Sequence, residues 1–244
     1  WAKYYMTHAK NTVIDRDDPE LQPDYLKKAG HSNGQNYSFN SIGNYNTIDQ
    51  LYGTTAYESS DFKTPGGLIV VDYNGDGIIS NNYDKVPYAY TGSPENTFNL
   101  GIGFDYKGFS AFVQFYGVSN VTRVIDQTGN AQQGNLYELE DPYWTKELGY
   151  GAPYGTIKST IHGAYKGSYF VYDGSYIRLK NAEIAYTFGE KLVKKFGLQS
   201  VKVYLNGNNL LMWSKMPDEL ETGGLGSGKY PMSRRNILGL KLNF

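Results

Sequence analysis

From residue 96 onward the chain alternates apolar and polar positions with a period of two, the spacing that gives a strand one apolar face. Over 99–106, Leu100, Ile102, Phe104 and Tyr106 interleave with Asn99, Gly101, Gly103 and Asp105. Lys107 and Gly108 interrupt the run, and Phe109, Ala111, Val113 and Phe115 resume it against Ser110, Gln114 and Tyr116, which predicts a tight hairpin. A third strand is predicted over 175–188. Its apolar phase slips from Ile177 and Leu179 to Ala182, Ile184, Tyr186 and Phe188, as a bulge near Lys180 or Asn181 would make it do. Leu192, Val193 and Phe196 among lysines predict a short helical turn stopped by Gly197. Val201, Val203 and Leu205 then alternate with Lys202, Tyr204 and Asn206, and Leu238, Leu240, Leu242 and Phe244 close the chain. Five strands are expected in 96–244, near the ~9–11 residues of a tilted membrane-crossing strand.

Residues 1–95 show only broken periodicity and are rich in Asn, Gly, Asp and Tyr. They are expected to form one long ordered loop region, a length that in a compact domain tends to be functional. Connections in 96–244 alternate between short (Lys107 to Gly108, Gly189 to Gln199) and long (Ser119 to Gly167, Met212 to Tyr230). The predicted apolar faces carry no Lys, Arg, Asp or Glu, while Asp105, Glu183, Lys202 and Lys241 fall on the opposite face. A soluble sandwich or barrel with a dry core gives the same alternation. The loop asymmetry favours an outer-membrane barrel, with short periplasmic turns and long extracellular loops.

Composition narrows the choice further. With 24 Tyr, 29 Gly and a mean hydropathy of -0.53, aromatics abound in a chain of modest apolarity, as strands that alternate toward lipid and water require. No run approaches the ~20 apolar residues of a membrane helix. The 23 Lys+Arg against 24 Asp+Glu leave no field that would draw nucleic acid, and the absence of Cys excludes thiol chemistry and disulfides. The chain opens at Trp1 without the signal peptide that a full outer-membrane protein needs for export, so a fragment or a processed product is expected.

One motif points to a cation. Asp72, Asn74 and Asp76 occupy positions 1, 3 and 5 of a D-x-N-x-D-G turn, where alternate oxygens converge on Ca2+ and Gly77 permits the sharp bend. The Ile78 carbonyl would be the next ligand. Position 12 is Tyr83, so closure falls to Asp84, one residue late; the other reading is a metal-free Asx/Gly turn. Tyr143, Trp144 and Trp213 are candidates for stacking on a sugar or clamping a peptide, against the plainer role of girdle or loop packing. The run 223–229 mimics a phosphate-binding loop but is followed by Tyr230 in place of Ser/Thr, and no HExxH or GxSxG pattern occurs, so no catalytic residue is assigned.

Several segments resemble the SusC/RagA family of TonB-linked outer-membrane proteins. They are VDYNGDGI at 71–78, YKGF at 106–109, SYIRLKNAEIAYTF at 175–188, VYLNGNNLL at 203–211 and the closing SRRNILGLKLNF ending at Phe244. The resemblance implies an all-β fold: the C-terminal strands of a large, 22-stranded antiparallel transmembrane barrel with long extracellular loops, whose plug, remaining strands and TonB-contacting segment lie upstream. It implies an outer membrane of a Gram-negative, Bacteroidota-like cell, outer-membrane lipid around the strands, a SusD-like surface lipoprotein as lid, and oligosaccharides or oligopeptides as cargo. The rivals are a secreted calcium-binding carbohydrate-binding or hydrolytic β-domain, and a structural barrel or adhesin that moves no substrate.

Overall fold

The computed structural model describes residues 1–58, 63–124, 144–149, 167–216 and 232–244. Its main feature is a six-stranded antiparallel sheet built in chain order. The strands are β1 (Ala2–His8), β2 (Asn96–Tyr106), β3 (Phe109–Ser119), β4 (Tyr176–Phe188), β5 (Ser200–Ser214) and β6 (Arg235–Asn243), each hydrogen-bonded to the next. Up-and-down order puts the connections 9–95, 120–175 and 215–234 at one end and the two short turns at the other.

The β2–β3 turn has the backbone that its two residues favour: Lys107 (φ 46°) and Gly108 (φ 89°) both lie in the left-handed region, as a two-residue primed turn demands. The slip predicted near Lys180 is real, with register shifting between Leu179 and Asn181 against both neighbours. On the β5 side, Leu179 faces Leu211 and Asn181 faces Asn208, so two residues oppose Lys180 there. One of them, Asn209, takes φ 54°, a conformation Asn tolerates. The turn after β4 is helical over Glu190–Val193 and 3-10 over Lys194–Phe196, and Gly197 (φ 74°) ends it, as expected.

Two expectations are corrected. The sheet holds six strands, because Ala2–His8 pairs along its whole length with β2, Ala2 facing Ile102 and His8 facing Asn96. The remainder of 1–95 is also more than loop. Short strands at Tyr37–Phe39, Ser41–Asn44, Ala56–Tyr57, Leu68–Val70, Ile78–Ile79 and Lys85–Pro87 pair in twos, and Thr47 and Gln50 form a reciprocal capping box on the helix Ile48–Gly53. They enclose a dry core of Phe39, Tyr45, Tyr57, Val70 and Ile79. We call this region the loop unit. The second long connection is stitched to it, since Gly167 bridges Phe39 and the Ser168 hydroxyl meets the Ser41 amide.

Candidate functional site

Residues facing one another across antiparallel strands share a face, so the register assigns both sides of the sheet. Below a polar row of His8, Asn96 and Ser119 at the long-connection end, one face is apolar apart from Asn236, which lies opposite Gly207. Phe98, Gly117, Ile177 and Trp213 form the first apolar row; Leu100, Phe115, Leu179 and Leu211 follow. Then come Ile102, Val113 and Ala182; Phe104, Ala111, Ile184, Leu205 and Leu238; Tyr106, Phe109, Tyr186, Val203 and Leu240; and last Phe188, Val201 and Leu242. β1 extends the upper rows with Met6, Tyr4 and Ala2.

These side chains are not a core. Phe104, Ile184 and Leu238 are 59%, 57% and 77% exposed, in rows that hold no Lys, Arg, Asp or Glu. Aromatics concentrate at the two ends of the band. Tyr4, Phe98, Phe115 and Trp213 stand toward the long connections, and Tyr106, Phe109, Tyr186 and Phe188 toward the short turns, where Phe109 and Tyr186 pack at 4.6 Å and Tyr186 and Phe188 at 4.9 Å between ring centroids. Eleven residue steps from Ile177 to Phe188 cover roughly 35 Å along a strand. At the tilt of membrane barrels this projects to about 25 Å, the height of their apolar band.

The opposite face is polar and internally bonded. Gln114 donates from Nε2 to Asn99 Oδ1 (3.2 Å), and Asn181 donates from Nδ2 to Gln114 Oε1 (2.7 Å), a chain crossing β2, β3 and β4. Beside it Glu183 accepts from Lys202 Nζ (2.9 Å) and Asn206 Nδ2 (3.1 Å), and Asn206 Oδ1 accepts from Asn208 (3.0 Å). Charge therefore sits on the face the alternation predicts, with Glu183 and Lys202 on adjacent strands neutralising each other.

The cation candidates come together on one turn. Asp72 accepts the Gly75 and Gly77 amides on separate oxygens (2.7 and 2.9 Å), and Asp76 accepts the Ile78 amide (2.8 Å) and the Asn74 Nδ2 (2.8 Å). Gly75 and Gly77 have φ 72° and 87°, which the turn needs. Asp84 plays a different part. Buried to 1% exposure, it takes the Tyr73 amide on one oxygen (2.7 Å) and the Ser80 amide on the other (2.6 Å). It clamps the two ends of the turn together through backbone donors, a role the spacing argument missed. Among the described residues no three His, Cys, Asp or Glu side chains converge as a metal-holding group.

Around this turn the loop unit is polar but tied down. Tyr25 donates to the Tyr83 carbonyl and packs edge-on against Tyr73 at 4.7 Å; burial, then the charge of Asp84, pushes its phenol upward. Asp18 accepts the Ala29 and Lys28 amides, and these two bonds hold its carboxyl below the usual range. Of the aromatic candidates, Trp213 belongs to the apolar row beside Ile177. Trp144 is half-buried and donates its indole N–H to Asn46 Oδ1 (2.7 Å), packing on the loop unit. Tyr143 and the 223–229 run lie outside the described residues.

No helix of the described residues is long and apolar enough to cross a membrane, which says nothing of strands. No protein-family model matches the chain. Two curated proteins of Formosa agariphila do: TonB-dependent receptor P3, 27% identical over 239 residues and covering 90% of this chain, and TonB-dependent receptor P26, 28% identical over 207 residues and covering 75%. Its kin are TonB-dependent receptors. The resemblance to SusC/RagA-type receptors read from the strand segments is borne out over most of the chain. Among solved structures, the RagAB peptide transporter matches the full chain with a TM-score of 0.70 at 17% identity, and the RagAB peptide importer in its open-open state with 0.68 at 15%. These show the fold: the six-stranded sheet matches part of a β-barrel. The chain spans 23% and 20% of the length of the two receptors and 27% of the RagAB chain. All of these relatives are named as receptors, transporters or importers, in agreement with the non-enzymatic reading.

Proposed function

We propose that this chain forms a wall and the associated extracellular loops of a TonB-dependent outer-membrane importer, in which a plug and further strands complete a barrel of 22. The observation that carries the reading is the charge-free, exposed apolar face with aromatic ends, backed by a polar, hydrogen-bonded face suited to a wet lumen. Cargo of the complete receptor is an oligopeptide or oligosaccharide, taken up with a SusD-like lipoprotein over the long-connection end. The likeness to RagAB, a peptide transporter, favours peptide. Purification of the native receptor in detergent, with mass spectrometry of every co-purifying chain, tests this. Plug and barrel peptides travelling with a surface lipoprotein support it; a species soluble without detergent ends it and revives the secreted β-domain.

At the 72–78 turn we propose structural Ca2+ on Asp72, Asn74, Asp76 and the Ile78 carbonyl, with Asp84 acting behind them as the clamp. Calorimetric titration of the intact receptor with Ca2+, repeated on Asp76→Ala, decides it: equal heats in both would leave a metal-free Asx/Gly turn. A role for Trp144 in holding cargo is tested by Trp144→Ala, with unchanged uptake removing it.

A further inference from the structure

The short-turn end of the sheet carries a feature the importer reading does not use. After Phe188 the chain makes the helical turn 190–196, anchored by the buried Val193. Leu192 and Phe196 stand four residues apart, hence on one side of the turn, and are 64% and 79% exposed. Lys191, Lys194 and Lys195 are exposed around them. The neighbouring turn adds Lys107, which lies over the Tyr106 ring at 5.2 Å, and Thr187 bonds the two turns by donating to the Gly108 carbonyl (2.8 Å). An exposed Phe and Leu ringed by cations cost free energy in water. The same set is favourable at a bilayer surface, where apolar side chains enter the acyl boundary and lysines meet phosphate.

The turn continues the apolar band, since Phe188 and Val201 are the last outward residues before and after it and Leu242 completes their row. We infer that 190–196 is a headgroup-docking turn: Leu192 and Phe196 enter the leaflet at the short-turn end, and Lys191, Lys194, Lys195 and Lys107 bind the phosphates of anionic phospholipid. The inference rests on the membrane reading of the sheet. It assigns the turn a lipid preference in addition to closing a hairpin, and with it a fixed depth for the barrel. Each lysine near an anionic surface is worth about a five-fold preference.

Site-directed spin labelling of the complete receptor tests it, with a nitroxide at Phe196→Cys or at Ile184→Cys in a background free of other cysteines. The receptor is placed in phosphatidylcholine bilayers with or without phosphatidylglycerol. Expected are high oxygen and low nickel-chelate access at both sites, with nickel access at 196 falling further when phosphatidylglycerol is present. Substituting Lys191, Lys194 and Lys195 by Gln abolishes that further fall. If 184 reads as lipid and 196 as water in both bilayers, the docking turn is overturned and the membrane wall stands. If both read as water, the membrane reading itself fails. A lipid-like 196 indifferent to phosphatidylglycerol and to the Lys→Gln changes overturns the anionic headgroup.

Discussion

The sheet and the loop unit solve opposite problems with similar residues. In the loop unit Phe39, Tyr45, Tyr57, Val70 and Ile79 are turned inward and buried to 8% exposure or less, although they come from strands of two or three residues and, for Tyr45, from irregular backbone. In the sheet the long strands turn their Phe, Ile, Leu and Val outward and bury almost none of them. Its inward side is the hydrogen-bonded one. A polypeptide in water gains by withdrawing apolar area from solvent, and a wall between lipid and water gains by presenting it. On the proposed membrane reading, the two regions therefore depend on different surroundings: the loop unit on its own interior, the sheet on a bilayer.

Emptying the core should separate the two most clearly. Phe39→Ala is expected to cost about 3–5 kcal/mol in the loop unit. Hydrogen exchange should then show protection lost over 37–87 and kept in β2–β5; equal loss in both would mean they fold as one. Next, Ile184→Arg, in a middle row of the apolar face, is expected to destabilise the complete barrel by roughly 2–4 kcal/mol when refolded into lipid. The exposure of Ile184 means a soluble protein would scarcely register the change. Asp84→Asn replaces an acceptor-only carboxylate by an amide whose NH2 must oppose the Tyr73 or Ser80 amide, at a cost of about 1–3 kcal/mol. It should appear as faster exchange at 72–80, with the sheet unchanged. The mildest change is acid sensitivity at Asp18. Its folded carboxyl lies below the ordinary value, so its contribution is complete above that value and fades as pH falls through the depressed one, a window below about pH 4. Backbone protection at Lys28 and Ala29 should fall over that window, and in Asp18→Asn the acid dependence should disappear.

What was legible in the sequence divides along the same line. Strands of nine residues or more, with one face apolar and the other polar, announce their phase, and even the slip at Lys180 could be read from the apolar residues changing parity. β1 escaped because Tyr4 and Tyr5 stand on opposite faces, so an amphipathic side chain erased the contrast. The upper part of β5 escaped too, because Asn209 and Leu210 add a residue there and carry Leu211 and Trp213 back to the apolar face. The core of the loop unit left no periodic trace: strands this short span a single repeat, and the partners of Phe39 lie up to forty positions away. The D-x-N-x-D-G turn was legible as a local motif. The clamp by Asp84 was not, because a buried carboxylate bound to two backbone amides depends on how the chain folds back over Ser80.

β1 and β2 are nearest neighbours, about 4.8 Å apart as paired strands are, and Ala9 still bonds to Glu95 where the chain leaves and re-enters the sheet. Everything between those two residues departs from and returns to one point on the rim. Such a segment is a cassette: a lineage can lengthen, exchange or delete it while every strand register below is kept, with the ties to the second long connection, at Gly167, Trp144 and Thr122, to be remade. Diversification of what the outer surface meets is thereby uncoupled from the inheritance of the wall.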